Sequence, residues 1–281
     1  LREIQAQDIT KKVKELFLKA NYETAEDILE TLEEFKKKES SPTGQSVLEQ
    51  IMKNNAIAKK EQVAICQDTG VGIVFIDYGQ EVHVVGGNLT DAVNEGVRQA
   101  YKDGYLRKSV VNEPLFERKN TGDNTPAVIH TTIVPGETFT IEVNAKGFGG
   151  ENMSAIKLYP PSAGIEGAKK YIVDTVLAAG ANSCPPVIVG VGIGGTTEKA
   201  FLLAKKAMMR PCGEHHPDPR YAQFEKEVLD EINKLGIGPA GLGGNTTALC
   251  VNVEYFPTHI ASIPVAVNLS CHASRHAKGE L

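Results

Sequence analysis

Three cysteines stand where a soft metal centre could be held. Cys66 closes a short apolar run and opens Ile65-Cys66-Gln67-Asp68-Thr69-Gly70, which sets a thiol, an amide and a carboxylate in consecutive positions. Cys184 precedes Pro185-Pro186 and a glycine-broken apolar stretch, and Cys271 lies in Asn268-Leu269-Ser270-Cys271-His272-Ala273-Ser274-Arg275-His276. Each is beside glycine, proline or small residues that let a cofactor approach. Three thiolates on a [4Fe–4S] cluster leave one iron open, and an open iron accepts a substrate hydroxyl or carboxylate oxygen as a Lewis acid. Electron-transfer clusters with four cysteines do not offer that position. The wide spacing matches no local ferredoxin pattern, so the residues alone leave two readings: a hydration cluster, or three unrelated buried cysteines.

Other constellations are weaker. Cys212-x-x-His215-His216, and Cys271 with His272 or His276, carry zinc-type donors, but neither assembles four at short paired spacing. Cys212 lies in a polar, proline-rich loop and reads as a solvated bystander; Cys250 reads as a small buried apolar residue. Gly190-x-Gly192-x-x-Gly195 matches the dinucleotide fingerprint in letter, yet the region about 20 residues on, where an acidic strand end belongs, is the loop Arg210 to Pro217. The stretch Lys146-Gly147-Phe148-Gly149-Gly150-Glu151-Asn152-Met153-Ser154 is too glycine-rich for a regular element and carries polar groups that suit a binding loop.

These residues need a frame, and the totals bound it. The chain has 281 residues, 41% hydrophobic and 23% charged, with a net charge of −5, which points away from nucleic-acid or membrane affinity. That length supports one large domain, and no linker divides the sequence. Residues 1–12 contain charges and no apolar core, so no secretory signal is expected, and no apolar run approaches the roughly 18 residues of a membrane helix. Five dispersed cysteines fit a reducing cytoplasm better than a disulfide framework.

Periodicity predicts a helical region over residues 1–60. Ile9, Val13, Leu16 and Phe17 share a face; Thr24-x-x-Asp27 resembles a capping box ahead of Ile28, Leu29, Leu32 and Phe35; Val47, Leu48, Ile51 and Met52 continue in a third helix. Val71–Ile76 and Glu81–Val85 around Asp77-Tyr78-Gly79-Gln80 predict a hairpin, and Ala127–Val134 with Thr138–Ala145 around Pro135-Gly136 predict half-buried antiparallel strands. Further helices are expected near 90–101, 165–179, 197–209 and 224–235, with strands near 187–191, 247–255 and 263–269. The whole reads as a single α+β domain, with N-terminal helices packed on antiparallel or mixed β-sheets around a central cluster-binding cavity.

Taken together, Cys66-Gln67-Asp68-Thr69-Gly70, the Lys146–Asn152 loop, Ser183-Cys184-Pro185-Pro186, Gly244-Asn245-Thr246-Thr247, Thr258-His259 and the Cys271 context resemble the iron–sulfur class I fumarate hydratase and tartrate dehydratase family. The resemblance runs in order over nearly the whole chain. It implies the α subunit of a two-subunit enzyme, equivalent to the N-terminal part of single-chain members. A separate β subunit would complete the active site in an α2β2 cytoplasmic assembly. It implies Cys66, Cys184 and Cys271 as ligands of a [4Fe–4S] cluster with one open iron. Gln67, Asp68, Arg107 and His259 then become substrate contacts, Asp68 and His259 the catalytic pair, and Gly147, Gly150, Asn152 and Ser154 the lining of the dicarboxylate. One departure stands out: many relatives carry a triple-Gly-Ser sequence and a lysine where this chain has Gly147-Phe148-Gly149-Gly150 and Met153. The implied reaction is reversible hydration of fumarate to (S)-malate. L-Tartrate dehydration is the alternative, and a non-catalytic iron–sulfur redox-sensing or scaffold subunit is a rival of another class.

Overall fold

The computed structural model describes residues 1–281. In chain order its elements are β1 (Arg2–Gln5), α1 (Ala6–Tyr22), α2 (Glu26–Lys38), α3 (Pro42–Glu61), β2 (Val71–Gly79), β3 (Val82–Val85), α4 (Leu89–Asp103), β4 (Val128–Val134) and β5 (Phe139–Lys146). They continue with α5 (Phe148–Glu151), β6 (Ala155–Tyr159), α6 (Gly164–Ala179), β7 (Val187–Gly194), α7 (Thr197–Ala207), α8 (Pro219–Asn233), β8 (Ala248–Phe256), β9 (Ile263–Ser270) and β10 (His276–Glu280). The class is α+β. The chain divides into two compact units: residues 1–25, 54–148 and 274–281 form the first, and 26–53 and 149–273 the second.

In the first unit the expected face of α1 is buried, with Ile9, Val13, Leu16, Phe17 and Ala20 packed on α4 and on the sheet. Gly96 lets α4 come this close, since a Cβ there would meet the Thr10 carbonyl at 2.7 Å. Side chains such as Phe17, Val97 and Ile141, all closed to solvent, each contribute about 1.5–3 kcal/mol by burial. The four-stranded sheet has the order β10-β5-β2-β4. Here two expectations are corrected. β2 does not form a hairpin with β3: it pairs antiparallel with β5 and parallel with β4, while β3 pairs parallel with β1. β4 and β5 are likewise not neighbours, because β2 lies between them. The reason is in the burial: β2 hides five consecutive residues, Gly72 to Ile76, and so needs partners on both edges, whereas β4 is largely exposed and suits an edge.

In the second unit the sheet order is β6-β9-β7-β8, with β7 parallel to β8 and antiparallel to β9. Val187, Val189 and Val191 of β7 join Ile172 and Val176 of α6 and Val228 and Ile232 of α8 in one core. The alternate residues of β7 face α7. A Cβ on Gly190 would meet the Ala204 carbonyl at 2.1 Å, and one on Gly192 the Ala200 carbonyl at 1.9 Å. The apparent dinucleotide fingerprint is therefore a seat for a helix pressed onto a strand. The expected capping box of α2 does not form: Thr24 Oγ1 has no hydrogen-bond partner, and the Asp27 carboxylate accepts from the Cys212 amide instead. No helix is long and apolar enough to cross a membrane.

Candidate active site

Asp68, in the segment leading into β2, is the best-defined polar centre of the first unit. Its Oδ1 accepts from the Gly70 amide at 3.2 Å and from the Arg107 guanidinium at 3.4 Å, and its Oδ2 accepts from the Phe148 amide at 2.9 Å. The carboxylate is thus fixed from three places in the sequence while remaining partly open to solvent. Arg107 is exposed but its backbone is tied down, since Thr69 Oγ1 donates to the Arg107 carbonyl at 2.7 Å. Tyr101 of α4, fully buried, donates its hydroxyl to the Thr69 carbonyl. Burial pushes the Tyr101 phenol well up, so it stays a donor, with the charges of Arg275 and Asp68 acting on it in opposite senses.

The loop that carries Arg107 is pinned at its far end. Asn124 is buried; its amide donates to the Gly70 carbonyl and its Oδ1 accepts from the Ser109 amide at 2.7 Å. Beside it, burial opposes ionisation of Asp123, but hydrogen bonds from Thr125 and Arg98 prevail and bring its carboxyl down to about 2.

Beneath the Asp68 turn lies a buried cation that sequence reasoning did not single out. Arg275, 2% exposed, donates from Nε to the Ala145 carbonyl at 3.1 Å, and its own carbonyl accepts from the Ala145 amide. A Cβ on Gly147 would stand 2.8 Å from Arg275 Nη2 and 3.3 Å from Asp68 Oδ2. A side chain at Gly147 would therefore press on the tips of Arg275 and Asp68 and make them shift.

In the second unit, Gly150 packs so closely on β9 that a Cβ would meet the Leu269 carbonyl at 2.2 Å. Ser154 Oγ donates to the Gly150 carbonyl and accepts from the Leu269 amide, so this hydroxyl holds the glycine-rich loop on β9. Glu151 anchors the same loop by accepting from Lys205 at 2.5 Å and Asn268 at 3.0 Å. Asn152 is exposed. His259 is exposed in the β8–β9 turn, where its Nδ1 accepts from the Ala261 amide.

The five cysteines separate into a pair and a trio. Cys212 and Cys250 form a disulfide and both are nearly buried, which corrects the reading of Cys212 as a solvated bystander. The loop and the strand β8 that carry them are neighbours in space, though nothing in their local sequences announces it. Cys66, Cys184 and Cys271 are in no disulfide, with Cys184 exposed and the other two partly so. Cys66 Sγ is 3.3 Å from Gln67 Oε1, and Gln67 is exposed. Cys184 follows a 3-10 turn over Gly180–Ser183 and adopts the left-handed conformation, φ 52°, that a non-glycine residue rarely takes without a functional constraint. Soft, outside any disulfide and at least partly open to solvent, each of these thiols is of the donor type that an iron–sulfur cluster takes. No three His, Cys, Asp or Glu side chains surround a point where one metal ion could sit. A cubane differs in that it holds its cysteine sulfurs on separate irons.

With this geometry in hand, comparison with known proteins is informative. The sequence profile of the family described as "Fumarate hydratase (Fumerase)" matches residues 10–280. The chain is 44% identical over 276 residues to a Methanocaldococcus jannaschii protein provisionally named L(+)-tartrate dehydratase subunit alpha, covering 96% of each. It is 34% identical over 260 residues to the L(+)-tartrate dehydratase subunit alpha of Escherichia coli, covering 91% of this chain and 84% of that one. The Shigella sonnei protein of the same name gives the same figures. The chain belongs to the fumarate hydratase family of hydro-lyases.

Proposed function

We propose that this chain is the α subunit of an iron–sulfur hydro-lyase that interconverts (S)-malate and fumarate, its active site completed by a β subunit. The observation that carries the reading is Asp68, a carboxylate fixed by two amides and a guanidinium yet open on one side. Dehydration removes a weakly acidic proton from the carbon next to a carboxylate, and hydroxide leaves the neighbouring carbon. Asp68 takes that proton, from a position set by the Phe148 and Gly70 amides. Arg107, hydrogen-bonded to Asp68 and through Nε to Ser109 Oγ, offers its remaining N–H groups to the substrate carboxylate on which charge accumulates. Gln67 adds a neutral donor beside it, and Gly147, Gly150, Asn152 and Ser154 line or hold the loop against which the dicarboxylate lies. His259 orients the substrate or shuttles the returning proton.

Cys66, Cys184 and Cys271 would hold the [4Fe–4S] cluster, which when bound supplies a Lewis-acid iron for the departing hydroxyl. The names of the relatives that contain "subunit alpha" support a separate β subunit, and an α2β2 assembly in the cytoplasm completes the proposal. The same relatives favour a second reading, L(+)-tartrate as substrate, since the same carboxylate and cation serve any four-carbon 2-hydroxy dicarboxylate.

The test is anaerobic co-expression with the β subunit, cluster reconstitution, and parallel assays on malate and L(+)-tartrate. Turnover of malate at least tenfold above tartrate in kcat/KM supports the first reading, and the reverse ratio the second. Activity with neither, from a preparation containing the cluster, refutes both.

A further inference from the structure

Arg275 is held in a way that stability alone does not account for. A guanidinium carries five N–H donors and is always charged, so a buried one normally spends those donors on carboxylates or several carbonyls. Arg275 is 2% exposed, and its Nη1 is buried with no hydrogen-bond partner. The one bond from Nε to the Ala145 carbonyl does not satisfy such a group. An unsatisfied buried donor that persists is a reason to look for what its position does.

Its position is under the turn that holds Asp68. Side chain and backbone of Arg275 clasp Ala145 from both sides, at the end of β5. One residue later, Lys146 is also buried and directs Nζ to the Gly147 carbonyl at 3.4 Å. Then Gly147 rests against Arg275 Nη2, and Phe148 donates its amide to Asp68 Oδ2 at 2.9 Å. Arg275 Nη2 and Asp68 Oδ2 thus border one methyl-sized space beside Gly147. The other charged or titratable groups facing this turn are Arg107 from its loop, Lys146 from β5 and Tyr101 from α4.

We propose that Arg275 is a positioning residue for the hydro-lyase reaction, fixing the Gly147–Phe148 turn so that the Phe148 amide holds the Asp68 carboxylate in the orientation that proton transfer requires. The proposal rests on the reading of Asp68 as the acid–base group. Arg275 touches neither substrate nor reacting atoms in this role; it acts through the backbone.

The experiment compares Arg275→Met, Arg275→Lys and Gly147→Ala with the parent chain, using two independent readouts. Amide hydrogen exchange on the labelled full-length chain reads the turn directly. In Arg275→Met the Phe148 amide is expected to exchange at least tenfold faster while the amides of α1 and β2 keep their protection. Steady-state kinetics of the reconstituted enzyme with its β subunit should show kcat reduced roughly 10–100-fold with KM within a few-fold, and partial recovery in Arg275→Lys. Gly147→Ala, which crowds the guanidinium without removing it, should show the same localised exchange and serves if Arg275→Met does not fold. Unchanged Phe148 exchange with unchanged kcat overturns the proposal, as does a loss of protection spread across the whole sheet with a parallel drop in Tm, which marks a merely structural residue. If the parent enzyme turns over neither malate nor tartrate, the functional reading falls. The exchange result still decides whether Arg275 positions the turn.

Discussion

Asp68 and Glu39 are both carboxylates gripped by backbone amides remote in sequence, and they differ in what surrounds the grip. Glu39, in the second unit between α2 and α3, is 2% exposed and accepts from the amides of Ser41, Asn245 and Thr246. Glycine crowds it as glycine crowds Asp68: a Cβ on Gly44 would stand 2.9 Å from Glu39 Cδ, and one on Gly244 2.7 Å from Oε1. At Glu39 the enclosure is complete, and the side chain works as a peg that fastens the loop ending in Asn245 and Thr246. At Asp68 one side is open and a guanidinium replaces the third amide. The same device fastens a loop in one place and leaves a group poised for proton transfer in the other. The presence of an arginine and a path to solvent separates the two.

That contrast can be broken in a definite order. Asp68→Asn should lower turnover by about 10²–10⁴-fold while costing about 1–2 kcal/mol of unfolding free energy, since one accepting oxygen becomes an NH2 group, measured by kinetics and by denaturant titration of the same preparation. If turnover survives, Asp68 is only another peg. Glu39→Ala should do the opposite, destabilising the chain by about 2–3 kcal/mol because three amides lose their acceptor, with kcat per folded molecule changed only a few-fold. The smallest effect is one of pH. Burial opposes ionisation of Glu39, but its hydrogen bonds from Thr246, Ser41 and Asn245 prevail and hold its carboxyl below the usual 4.5. Its contribution is therefore fully present above pH 4.5 and is lost as pH falls through the lower folded-state value. The stability of Glu39→Gln should vary less with pH over that acid window than the parent's, as read from unfolding midpoints between pH 3 and 6.

Much of the frame was legible because it rests on local rules. The apolar stripe of α1, the strand expected near 187–191 and the helix expected near 165–179 follow from periodicity and are found, while the helix expected near 224–235 starts earlier, at Pro219. Side-chain chemistry made Cys66, Asp68, Cys184 and Cys271 candidates, and the family resemblance is what joined them. What stayed hidden depends on non-local pairing. Nothing near Val71–Ile76 says that its neighbours are β4 and β5 rather than the adjacent β3, and only its apolar character on both faces hints at a central place. Cys212 and Cys250 sit in unlike surroundings, and their bond depends on a loop folding onto β8. Arg275 was written out within the Cys271 context, but an arginine's letter does not say that it is buried. Gly190 and Gly192 were readable only as a literal fingerprint; that they seat α7 required the fold.

The first unit is assembled from three pieces of chain, and its β10, residues 276–280, pairs with β5. During synthesis, at about 5–20 residues per second, α1 and β2 therefore emerge well before the strand that completes their sheet. The second unit, whose last residue is 273, is complete in the chain before that strand is made. Until residues 274–281 leave the ribosome, β5 has an unpaired edge and the turn bearing Asp68 lacks the arginine beneath it. The turn bearing Asp68 gains that arginine only after the whole of the second unit has been synthesised.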